Sequence, residues 1–120
     1  MIVVANIVVG IVAALHLYFL VLEMFLWTRP IGLKTFRQSQ QKADDSAVLA
    51  ANQGLYNGFL AAGLIWGLAH PVAATGFQIK VFFLVCVIVA GLYGGYSVST
   101  RIILIQAVPA ALALVLLWMG

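Results

Sequence analysis

Four stretches without Asp, Glu, Lys or Arg occupy most of this chain: Met1 to Leu22, Ser46 to Ile79, Val81 to Thr100 and Ile102 to Gly120. Each reaches the roughly 20 residues that a helix needs to cross a bilayer's hydrocarbon. Composition agrees, since 65% of the residues are hydrophobic and 8% are charged, against about 25% charged in an ordinary soluble domain. The expected fold is therefore all-α, an integral membrane four-helix bundle forming a single domain over residues 1–120. Its spans are expected at about 2–27, 46–69, 77–96 and 102–119, with one loop of useful length at about 28–45.

The N-terminal run is too long and lacks the basic flank of a cleaved signal, so it reads as a mature span. Arg29, Lys34, Arg37 and Lys42 fall in the first loop and Arg101 in the last, whereas Lys80 alone lies near the middle turn. Positive-inside logic places both termini outside and both basic connections in the cytoplasm. That makes the chain a multi-pass protein of a bacterial inner membrane, and its net charge of +3 a matter of topology and anionic lipid, with no nucleic-acid partner implied.

Local signals set the expected boundaries. Thr28 and Pro30 end the first span, because proline disfavours helix in the residue before it. Asp44, Asp45 and Ser46 offer N-cap side chains to the second, and Pro71 closes it just after His70. The segment from Ile31 to Lys42 reads as a solvated connector with room for one interfacial turn. Gly54 and Gly58, Gly63 and Gly67, and Gly91 and Gly95 are each four apart, a spacing that lets helix backbones approach in lipid. Packing within one chain and a homo-oligomer face both use such glycines. Trp27, Trp66 and Trp118 read as interface anchors, and the lone Cys86 as packing.

The polar residues inside these spans are the candidate site. His16 and Glu23 are seven positions apart, which returns to nearly the same helix face about 10 Å along the axis. Ionisable groups inside a membrane are expensive and are paired, buried in a bundle, or used. Counted from the cytoplasmic boundary, Glu23, Asn52, Gln53, Gln106, Tyr93 and Tyr96 fall in one layer on the order of 10 Å deep. His16, Tyr56 and Asn57 lie deeper. Within the second span, Gln53 shares a face with Asn57, and Asn52 with Tyr56. Pro109 is expected to displace the carbonyl of Ile105 from helical bonding, next to Gln106. Together these make a polar shaft opening toward the cytoplasm and ending near His16.

Each member has a plainer alternative: Glu23 can snorkel or pair with a loop Arg or Lys, and amides can simply join helices. His70 reads as structural, at a helix C-terminus. No metal or cofactor is expected, because His16 and Glu23 are too far apart to share an ion and no second set of ligands completes a site.

The strings His16-Leu17-Tyr18 with Glu23-Met24-Phe25-Leu26-Trp27, and Ala50-Ala51-Asn52-Gln53-Gly54-Leu55-Tyr56-Asn57-Gly58-Phe59-Leu60-Ala61-Ala62-Gly63, resemble the small bacterial membrane family called domain of unknown function thirteen-oh-four. The resemblance spans essentially the full chain. It implies a four-helix membrane protein of this length and supplies no activity.

Three functions fit the residues. The first is a buried site in which Glu23 and His16 transfer protons to a small lipophilic molecule while Asn52, Gln53, Tyr56, Asn57, Tyr93, Tyr96 and Gln106 orient it; binding alone and catalysis are both open. The second is a small oligomeric proton-coupled transporter or channel. The third is a structural or regulatory partner of another membrane protein. The pocket is favoured because the outer half is nearly apolar: the first span offers Asn6 there, the second Trp66, and the third Gln78, Lys80 and Cys86.

Overall fold

The computed structural model describes Met1–Gly120 and is all-helical. Its elements are α1 (Ile2–Met24), α2 (Pro30–Phe36), α3 (Gln40–Ala69), α4 (Ala73–Ser97), a π-helical stretch (Ile103–Ala107) and α5 (Val108–Met119). There are five α-helices where the charge-free runs imply four, because the first loop folds into a helix of its own. Two of them, α1 and α4, are long and apolar enough to cross a membrane; the apolar helix at Ile103–Met119 is shorter.

The boundaries differ from expectation for local reasons. The first helix ends at Met24, where Phe25 and Leu26 N–H groups both donate to the Val21 carbonyl. Pro30, expected to end that helix, instead starts α2 at its first position, where the missing N–H costs nothing and the fixed φ suits a helix. Arg29 before it is extended at φ −86° and ψ 162°, as proline requires. Two hydrogen bonds close the far end, from Arg37 N–H to the Lys34 carbonyl and from Gln38 N–H to the Leu33 carbonyl, with Arg37 at φ 51°. This is a Schellman end with arginine where glycine is usual.

Asp44, Asp45 and Ser46 do not cap α3; they lie inside it. Ser39 is the cap, accepting from the Lys42 N–H at 3.1 Å. Gln40 and Gln41 then donate to Asp44 and Asp45 one turn on, a stabilising spacing on a helix surface. The fourth helix likewise begins at Ala73, ahead of Phe77. Pro109 follows a π-helical stretch, Ile103–Ala107. Its nitrogen cannot donate, and Val108 N–H bonds to the Ile103 carbonyl, five residues back, the signature of a π-turn.

Two compact units divide the chain. The first comprises Met1–Ala14 and Leu60–Gly120. Ala5, Val9 and Ala13, one turn apart on α1, with Val12 beside them, join a core of Leu64, Leu84, Val87, Ala110, Ala113 and Leu117. Val3, Ile7 and Ile11 on the same helix are more than half exposed. Gly91 and Gly95 admit the wider π-turn: a Cβ at Gly91 would lie 2.7 Å from the Ala107 nitrogen, and one at Gly95 would collide with Ile103.

The second unit is Leu15–Phe59. Leu22, Ala43 and Ala50 are buried in it. Trp27 donates its indole N–H to Ser46 Oγ at 3.1 Å and packs its ring on Phe36 at 4.7 Å. Gly32 lies directly against the Leu26 and Trp27 carbonyls, leaving no room for a side chain. Trp27 is thus a strut between α2 and α3, a role that its place at a span end does not reveal.

Candidate functional site: a buried carboxyl between two amides

Glu23 sits in the last turn of α1 and is only 3% exposed. Gln53 and Asn57, four residues apart on α3, present amides to it on one face. Gln53 Nε2 donates to Oε2 at 2.6 Å and Asn57 Nδ2 to Oε1 at 2.5 Å. Its polar partners are therefore neutral amides and not the loop Arg or Lys of the ion-pair alternative.

A glycine sets the distance. A Cβ at Gly54 would lie 2.7 Å from Met24 Cγ, 3.1 Å from Glu23 Cβ and 3.2 Å from the Leu20 carbonyl oxygen. At Gly58 it would meet Leu20 Cδ1 at 2.6 Å. Without these two glycines the helices would separate, and the short Asn57 side chain would lose its reach. Both are occupied by packing within the chain.

A carboxyl offers about four acceptor sites, and the two amides use one on each oxygen. One lone pair per oxygen remains for a proton or for a ligand hydroxyl or amine. The amides fix the group in place without neutralising it.

His16 is fully buried and meets Phe19 edge to face at 5.3 Å. It lies two turns from Glu23 along α1, too far for direct contact. Asn52 and Tyr56 are exposed on α3, away from the face that carries Gln53 and Asn57. Tyr93 and Tyr96 are 70% and 89% exposed, and Gln106 stands in the π-turn; these three belong to the first unit. The structure thus brings together Glu23, Gln53 and Asn57 from the expected set.

One polar pair escaped the sequence reading. Lys80 of α4 is 6% exposed, and its Nζ donates to Asn6 Oδ1 at 2.8 Å. Asn6 lies four residues into α1 and Lys80 seven into α4. The depth count that assembled the Glu23 layer, run from the opposite ends of the spans, would have matched them. His70 accepts the Val72 N–H on Nδ1 at 3.1 Å and closes the turn before α4.

These features describe a small all-helical protein with a buried carboxyl held by two amides. The chain belongs to the family described as "Protein of unknown function (DUF1304)", whose model matches residues 10–118. It is 30% identical over 113 residues to the uncharacterized protein YpaA of Lactococcus lactis subsp. lactis (strain IL1403), covering 92% of this chain and 93% of that one. No solved structure matches it.

Proposed function

We propose that this chain is an integral membrane protein whose Glu23 site, facing the cytoplasmic side, binds a small lipophilic molecule through a hydroxyl or amine and exchanges a proton with it. In this reading α1, the apolar part of α3, α4 and the Ile103–Met119 segment cross the bilayer, and both termini lie outside. Membrane integration is supported by exposure: only 28% of the apolar window of α1 and 22% of that of α4 are buried against protein. The core helix of a soluble protein would be mostly covered. Here the outward residues are Val3, Ile7, Ile11, Phe82, Val85 and Val89, which suits hydrocarbon and not water.

The observation that carries the site is a buried carboxyl whose oxygens meet only uncharged donors. Burying an ionisable group without a countercharge is costly. A purely structural contact between helices is made more cheaply by amides alone. Gln53 and Asn57 orient the carboxyl, leaving its remaining lone pairs to the ligand. The reaction class this permits is proton transfer or binding linked to it. His16, buried two turns deeper, closes the apolar end of the site.

Native mass spectrometry of the wild type and Glu23→Gln, released from mild detergent, tests this. A non-lipid small molecule retained by the wild type and lost from the variant is expected. A ligand-free oligomer of defined size in both would overturn the pocket and favour proton-coupled transport, which liposome flux then measures.

A further inference from the structure

The first unit carries a second buried ionisable group, in an environment opposite to that of Glu23. Gly67 on α3 lets the Lys80 stem cross its backbone: a Cβ there would fall 2.6 Å from Lys80 Cγ and 3.1 Å from the Lys80 nitrogen. The ammonium ends on Asn6 Oδ1, which accepts one of its three N–H groups. The three Asp and Glu residues of the chain, Glu23, Asp44 and Asp45, all belong to the other unit. No Asp or Glu side chain of the first unit can therefore answer this charge.

Beside Lys80 is a cleft of about 210 Å³ whose lining includes Asn6, Gly67, His70, Gly76, Phe77 and Lys80. That is room for several waters or for a small polyatomic anion. Its polar side chains can donate, and they stand beside the last-turn carbonyls of α3 at Gly67 and Leu68. Asn6 commits its oxygen to Lys80, so its NH₂ remains. His70 Nδ1 lies 3.1 Å from the Val72 nitrogen and 3.3 Å from the Val72 carbonyl oxygen; the tautomer that accepts the Val72 N–H carries its ring hydrogen on Nε2. Ala73, also in the lining, opens the 25-residue α4, whose first-turn N–H groups add positive potential.

We propose that this cleft is a binding site for a phosphate-bearing group, with Lys80 as its charge and the Asn6 amide as a positioning donor. A tetrahedral oxyanion takes several donors from different directions, and lysine meets it as a point charge. A lipid headgroup and free phosphate present the same chemistry. The site stands independently of the Glu23 reading, since no residue is shared.

The test is native mass spectrometry of the full chain in neutral detergent, titrated with dioleoylphosphatidylglycerol or with dioleoylglycerol, which has the same chains and no phosphate. The wild type is expected to retain the phospholipid at concentrations at least tenfold lower than the diglyceride. Lys80→Met should lose that preference, while Arg101→Met, which removes an exposed cation outside the cleft, should keep it. Displacement of the lipid by inorganic phosphate would identify the free anion as the ligand; persistence would identify the headgroup. Equal retention of phospholipid and diglyceride by the wild type, or unchanged preference in Lys80→Met, overturns the proposal. If Lys80→Met does not fold, Asn6→Asp supplies an internal countercharge and should abolish the preference; its persistence there is equally decisive against the site.

Discussion

Glu23 and Lys80 are each buried and each bonded to uncharged amides, yet the two regions treat them differently. Glu23 has a donor on each oxygen, supplied from one helix face and held at range by Gly54 and Gly58. Lys80 has one acceptor for three donors and a cleft beside it. Burial alone therefore does not mark a site. The number of hydrogen-bonding positions left unfilled by protein says what kind of partner could enter.

The largest expected effect comes from closing the space that lets the carboxyl be bound. Gly54→Leu forces α1 from α3 and strips Glu23 of both amides, so its loss should reach about 3 kcal/mol, from overpacking and unmade bonds together. Thermal unfolding in detergent measures it. A variant as stable as wild type would show that the helices do not depend on that approach.

Asn57→Leu should cost about 2 kcal/mol, above the ~0.6 kcal/mol typical of polar pairs between membrane helices, because it leaves a buried carboxyl oxygen without its donor. Gln53→Leu should cost less, since Gln53 is exposed. A double-mutant cycle of Asn57→Leu with Glu23→Leu isolates the coupling; additive effects would mean the bond contributes nothing.

At the other pole, Asn6→Leu should destabilise by about 1 kcal/mol, because a solitary ammonium remains. Adding Lys80→Met should then recover most of that loss, since removing both partners is nearly neutral where removing one is not. Failure of the second change to rescue the first would break the parallel between the two regions. The smallest effect lies outside both. Arg37→Gly relieves a left-handed backbone at the end of α2 and should stabilise by about 1 kcal/mol in the same unfolding assay.

Helix existence was legible because charge-free runs of spanning length leave the chain few alternatives. Boundaries were not. Ser39 outcompeted the more conspicuous Asp44, Asp45 and Ser46 as a cap because Gln40 and Gln41 could bond one turn forward. The loop proved helical because Pro30 starts a helix as readily as it stops one. At the site, counting depth from the span ends placed Glu23 level with Gln53 but put Asn57 a turn deeper with His16, whereas Asn57 reaches Glu23; depth also carries no rotation. Asn52 and Gln53 differ by about 100° around α3, so adjacent amides at one level point to different surroundings. The glycines at 54 and 58 were the rotational signal, since the closely approached face is the one that bears them, and Gln53 and Asn57 flank it. Asn6 and Lys80 were legible by the same count, but each looked like an isolated polar residue until paired.

The π-turn before Pro109 carries one more residue than an α-turn over the same rise. In structural terms it is an absorbed insertion: the surplus residue is taken up between Ile103 and Ala107, while Ile102 and Ile103 before it pack on Gly94 and Gly95 and Ala110 beyond it is buried. A chain shortened by one residue there, with Pro109 replaced by alanine, would run as unbroken α-helix and still turn Ala110, Ala113 and Leu117 inward. Chains of different length at this point can therefore share the same packed face, and a single-residue gap in an alignment across it would signify a change of helix type and not a loss of fold.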